Sequence, residues 1–234
     1  LVASVNLEEI RHWKEEHPGG LVLAYINTDA QTKALCDYIY TSRNAEGVFA
    51  HVIATNPGSP ILSLPDKFLT RNVLQKLKER GLPVEHISVW DGFCHVHQKI
   101  GELALVEAAG RYPSAEILIH PECGCTSFCL TMTSPEGKAS AVPCLSTEGM
   151  RLRARESESR EFIVATEIGM VYRLRRDIPG KTFWPVSQNA SCEYMKMITL
   201  EKLVACLRDD RNPIYEVAVP PDVAATSRLA IERM

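Results

Sequence analysis

Short apolar runs alternate along this chain with amphipathic stretches at helical spacing. The runs at Leu21 to Ile26, Ile61 to Leu64, Ile87 to Trp90, Glu116 to Ile119, Phe162 to Ala165 and Phe183 to Val186 predict strands. Between them lie helices. The first starts at Asn6, an N-cap with Glu9 at its third position, sets Leu7, Ile10 and Trp13 on one face and stops at Gly19-Gly20. Asp29 caps a second, and the pairing of Ala34 and Tyr38 with Leu35 and Ile39 at i, i+4 spacing carries it to Ile39. A third, Lys67 to Arg80, buries Phe68, Val73, Leu74 and Leu77 and ends at Gly81. A fourth follows Cys94, and a fifth begins at Thr199 with Leu200, Leu203, Val204 and Leu207 inward.

Strands and helices that alternate in this way predict an α/β fold of parallel sheets covered by helices on both faces. The chain divides just after Cys94, into domains 1–94 and 95–234. Such sheets bind ligands at the carboxyl ends of their strands, so the polar residues just past each strand are the ones to weigh. These are Tyr25, Asn27 and Thr28 after the first, His120 and Glu122 after the fourth, and Thr166 and Glu167 after the fifth.

A repeat underlies the pattern. Cys192 stands seven residues before Thr199 in I-T-L-E-K-L (198–203), and the chain opens on a near copy, V-N-L-E-E-I (5–10). The same spacing carried back from Asn6 puts a cysteine two residues before Leu1, and Cys94 falls roughly midway. The chain thus reads as two units of a three-unit repeat, each ending in a cysteine that leads into a helix, with one shared site.

Composition narrows the chemistry. With 234 residues, 45% of them hydrophobic, the chain buries a substantial core, and a net charge of −3 leaves no footprint for nucleic acid. No apolar run reaches the roughly 18 residues of a membrane span and no leader is visible, so a cytoplasmic protein with a small-molecule partner is expected. Eight cysteines are too few for a secreted disulfide scaffold and suggest metal or redox chemistry for some. Cys123, Cys125 and Cys129 form a C-x-C-x-x-x-C run that resembles a metal site but lacks a defined fourth ligand. His95 and His97, beside Cys94, read as extra ligands, outer donors or a surface pair, and Glu167 as a turn carboxylate or a site residue. Cys36, Cys144 and Cys206 read as packing residues.

Seven segments carry a family resemblance: A-Y-I-N-T (24–28), T-S-x-N-A (41–45), D-G-F-C-H-V-H (91–97), H-P-E-C (120–123), S-T-E-G-M (146–150), T-E-I-G-M (166–170) and the region of Cys192. In order and spacing the chain resembles the quinolinate synthase family over nearly its whole length. The resemblance implies repeated three-layer αβα domains, two of a pseudo-threefold set of three around one 4Fe-4S cluster. Cys94 and Cys192 are then ligands from the second and third domains, and the first domain, with its cysteine, is missing ahead of Leu1. The implied reaction condenses iminoaspartate with dihydroxyacetone phosphate to quinolinate, with loss of phosphate and water, the open iron serving as Lewis acid.

By the same resemblance His120 and Glu122 bind substrate and move protons, Tyr25 is a proton shuttle, and Asn27 polarises the intermediate. Ser42 and Thr147 contact phosphate or carboxylate oxygens. Iminoaspartate is labile, which implies a functional link to an aspartate oxidase. Tyr40 departs from the family, which often has cysteine there. Two other readings stay open: a non-catalytic metal-binding module built on Cys123, Cys125 and Cys129, and a phosphate-binding α/β protein without a cluster.

Overall fold

The computed structural model describes residues 1–125, 142, 144–209 and 211–234. Helix α1 (Leu7–Glu16) begins where Asn6 accepts the Glu8 N–H and donates to Glu9 Oε1 at 2.9 Å, and its Ile10 is fully buried. Four parallel strands follow in the order β2-β1-β3-β4: β1 (Leu21–Tyr25), β2 (Tyr38–Tyr40), β3 (Ile61–Leu64) and β4 (Ile87–Val89). Alternation along β1 divides the layers. Leu23 and Tyr25 face α3 (Ala45–Thr55) and α4 (Lys67–Glu79), packing with Phe49, Val52, Leu69 and Leu77. Val22 and Ala24 turn to the other face, with Ile10, Leu62 and Ala230.

The second helix is shorter than its spacing predicted. Helix α2 (Ala30–Ala34) starts at Asp29, whose side chain accepts the Thr32 N–H, and residues 38–40 pair with β1 instead of extending it. Asp37 makes the switch, because its backbone N–H bonds Val22 O and its carboxylate accepts the Val22 N–H, both at 2.8 Å. Tyr38-Ile39-Tyr40 is a β-prone triplet, and sheet pairing that leaves Ile39 and Tyr40 with no exposure outweighs a marginal helical turn.

A second parallel sheet has the order β5-β6-β7: β5 (Glu116–Ile119), β6 (Glu161–Ala165) and β7 (Thr182–Pro185). Helix α6 (Glu102–Arg111) covers one face through Leu105 and Ala108, and α7 (Thr147–Glu156) and α8 (Gly169–Asp177) cover the other around Phe162 and Phe183. Cys144 bridges Ile119 where β2 lies in the first sheet.

Register makes the two units comparable position by position. Ala24 pairs with Leu64 as Ile119 pairs with Ala165, and Ala24 pairs with Ile39 as Ile119 bridges Cys144. Tyr25 and His120 are therefore equivalent, as are Asn27 and Glu122, Ser42 and Thr147, and Asp66 and Glu167. After each sheet a cysteine starts one helical turn: Cys94 before α5 (His95–Gln98) and Cys192 before α9 (Glu193–Lys196). His95 and Tyr194 touch edge to face, ring centres 5.6 Å apart, so the two turns are neighbours.

Helix α10 (Leu200–Arg208) is capped as expected by Thr199, which accepts the Lys202 N–H, but its apolar stripe is not inward. Leu200, Leu203 and Leu207 are 71%, 49% and 74% exposed, because among the described residues both sheets already carry their helices. The last helix, α11 (Pro221–Glu232), returns to the first sheet, burying Ala230 there. Among the described residues no helix is long and apolar enough to cross a membrane.

Candidate active site

The carboxyl ends of β1 and β5 meet at one buried group of polar side chains. Pro121 separates His120 from Glu122, and both flanking side chains are enclosed, with 5% and 3% residue exposure. Glu122 Oε2 lies 3.1 Å from His97 Nδ1 and Oε1 lies 4.0 Å from His120 Nδ1. The imidazoles of His97 and His120 stack at 4.9 Å. From the other unit Tyr25 lies beside Glu122 and Ser42, close enough for both to act on its phenol. Cys94 stands beside His97, one helical turn further on, and Asp66 Oδ2 accepts the Cys94 N–H at 3.1 Å. His97 Nε2 is 3.0 Å from Thr166 Oγ1.

Burial and neighbouring charge work against each other here. Burial alone would raise the Glu122 carboxyl, but His97 beside it, with His120 and Tyr25, holds it well below the usual carboxylate range. Burial would lower His97, and Cys94 and Glu122 overrule it, so His97 is raised and carries a proton at neutral pH. The Cys94 thiol is lowered in turn, its burial being outweighed by the neighbouring His97. His120 is pushed down to about 4 by burial and stays neutral. Burial and then the Glu122 charge raise Asp66 to about 6, and the same two causes drive the Tyr25 phenol far up.

Cys94, His97 and Glu122 each offer a ligand atom, and those atoms lie within 4.8 Å of one another. The 3.1 Å approach of His97 Nδ1 to Glu122 is an ion-pair distance, yet Nδ1 makes no aligned hydrogen bond among the described residues. A buried donor left in this way suits a bound group as well as it suits an ion pair. Cys123 takes no place in this group, since its Sγ donates to Ala165 O at 3.0 Å. Cys125 is buried in the same core cluster, and Cys129 lies outside the described residues.

Of the residues expected from the sequence, Tyr25, Ser42, Cys94, His120 and Glu122 come together. Asn27 and Thr147 are exposed at the same strand-end face. Cys192 is half-buried against the same apolar cluster as Cys94, and Glu167 Oε1 accepts its N–H at 3.3 Å. Asp66 was missed. Its only sequence signal, an acidic residue ahead of a helical run, reads as a helix cap, which it also is.

Together the fold and this group define a repeated α/β protein with buried imidazoles and a buried carboxylate beside a half-buried thiol at its strand ends, the constitution of an enzymatic centre. Residues 1–234 match the family model described as quinolinate synthetase A protein. The chain is 43% identical to the quinolinate synthase of Pyrobaculum aerophilum, over all of this chain and 72% of that protein. The corresponding figures are 43% and 70% for the quinolinate synthase of Thermus thermophilus, and 41% and 64% for that of Mycobacterium tuberculosis. The chain belongs to the quinolinate synthetase A family, enzymes of NAD biosynthesis.

Proposed function

We propose that the protein acts as a quinolinate synthase, joining iminoaspartate and dihydroxyacetone phosphate, with Cys94 and Cys192 as two thiolate ligands of a 4Fe-4S cluster. The observation that carries the reading is the equivalence of the two cysteine-led turns, which lie side by side, together with the Cys94–His97–Glu122 group, in which the histidine and carboxylate are buried and the thiol half-buried. Clusters of this kind need thiolate donors, and the lowered Cys94 thiol is such a donor. When bound, the cluster would supply a Lewis-acidic iron that polarises a substrate oxygen and eases water loss.

The protein's own residues hold and move protons. Glu122, ionised and enclosed, is the base; Tyr25, protonated and beside it, relays the proton to substrate oxygen. His120 is neutral, and its Nδ1 faces the Glu122 N–H at 3.5 Å, which leaves Nε2–H as a donor to a substrate carboxylate. Asn27, Ser42 and Thr147 offer amide and hydroxyl donors to phosphate and carboxylate oxygens. Enclosure of the group keeps water from the imine.

Anaerobic iron and sulfide analysis tests the reading, on this chain and on a version extended upstream, with Cys94→Ala and Cys192→Ala as controls. Four irons in the extended protein, lost in both controls, together with quinolinate formation from the two substrates, is the expected result. Iron binding that is indifferent to both substitutions would sink it.

A further inference from the structure

Two acidic residues outside the catalytic assignments hold matching places in the two units. Asp66 and Glu167 each stand two residues past an equivalent position in the strand pairing, Leu64 in β3 and Ala165 in β6. Both are buried. Each divides its oxygens in the same way between a helix start and a distant cysteine. Asp66 Oδ1 accepts the Leu69 N–H at 2.8 Å in the first turn of α4, and Oδ2 accepts the Cys94 N–H at 3.1 Å. Glu167 Oε2 accepts the Gly169 N–H at 2.7 Å at the start of α8, and Oε1 accepts the Cys192 N–H at 3.3 Å. The cysteines follow their carboxylates by 28 and 25 residues, so neither bond is local.

We propose that Asp66 and Glu167 are paired positioning residues, each tying a cysteine-led turn to the helix after an inner strand of its sheet so that both thiols are presented to the shared site. The inference rests on the reading of Cys94 and Cys192 as cluster ligands. A four-residue turn with no side-chain cap does little to fix its own first residue, and a charge-assisted bond to the cysteine N–H does so from outside. Two glycines are built around these contacts. A Cβ on Gly92 would meet Pro65 O at 2.3 Å, where the loop before Cys94 lies against Asp66 and takes the Lys67 N–H at 2.8 Å. A Cβ on Gly169 would meet Glu167 Oε2 at 2.6 Å. Lys196 Nζ, 3.4 Å from Glu167 Oε1, closes the second clamp from the far end of α9.

A carboxylate accepts two N–H groups at once, whereas the isosteric amide has one acceptor oxygen and turns a second donor toward the other N–H. The conservative variants therefore lie between wild type and alanine. The test uses the full-length protein carrying Asp66→Ala, Asp66→Asn, Glu167→Ala, Glu167→Gln or Gly169→Ala. In metal-free protein, amide hydrogen exchange at Cys94 rises about tenfold in Asp66→Ala and that at Cys192 rises similarly in Glu167→Ala and Gly169→Ala, each leaving the other cysteine unchanged. After anaerobic reconstitution the same variants yield iron to a chelator several-fold faster and alter the electron paramagnetic resonance signal of the reduced cluster. Faster exchange at Leu69 and Gly169 with a lowered thermal midpoint, but wild-type cysteine exchange and an unchanged signal, marks plain helix caps and overturns the proposal. If the cysteine amides respond while Cys94→Ala and Cys192→Ala keep all their iron, the clamps stand and the ligand reading falls.

Discussion

Glu122 keeps its charge at 3% exposure because His97, His120 and Tyr25 are set against it, and the proposed role as a base requires that ionised form. Glu122→Gln preserves the volume and the Tyr25 contact but removes the proton acceptor. Quinolinate formation is expected to fall by about 10²–10⁴-fold in steady-state assays, with the circular dichroism spectrum unchanged. Away from the site, burial raises the Cys36 thiol from 9.0 to about 12. Between those values the folded protein keeps a proton that the unfolded chain releases, so stability falls as pH rises, by up to about 1.4 kcal/mol per pH unit from this group. Urea denaturation at pH 9 and pH 11 should show a smaller loss for Cys36→Ala than for wild type. Equal losses would mean that Cys36 is not held protonated.

At the scale of elements, the loops around Asp66 leave no room to move. Gly92→Ala puts a methyl group at 2.3 Å from the Pro65 carbonyl, so the loop leading to Cys94 must shift. A stability loss of about 2 kcal/mol or more is expected from thermal or urea melts, along with weaker iron binding. The strands other than β2 were legible because each is a short apolar run bounded by turn residues. Residues 38–40 were not, since a triplet beside a real helix matches helical spacing by chance and only the Val22–Asp37 bonds decide between the two. Helices α3, α7, α8, α9 and α11 went unread. In the site, Tyr25, His120 and Glu122 could be found from their positions after strands. His97 was readable in principle, because a residue three after Cys94 shares its side of a helical turn, but the alternation of His95 and His97 fits a strand or extended loop equally well. The second bond of Asp66 is purely tertiary and leaves no trace in local sequence.

For the whole molecule, the last helix matters as much as the first. Helix α11 lies on α2 and β2, Ala230 is 1% exposed in the first sheet's outer core, and Arg233 Nη1 donates to Asp37 O at 3.2 Å. Ala230→Asp buries an unpaired charge in that seam. Its cost should be about 2–4 kcal/mol in urea denaturation, and a loss below about 0.5 kcal/mol would show that the helix contributes nothing to the first unit's stability.

The register that equates the two units also shows where they have parted. Tyr25 holds the place of His120 in the repeat, Asn27 that of Glu122, and Ser42 that of Thr147, so the backbone is duplicated while the polar side chains at the strand ends are not. Walls of identical composition would accept a molecule equally well in several orientations. A scaffold that repeats its shape but varies its functional groups distinguishes head from tail, so that a ligand with chemically different ends has one way to lie.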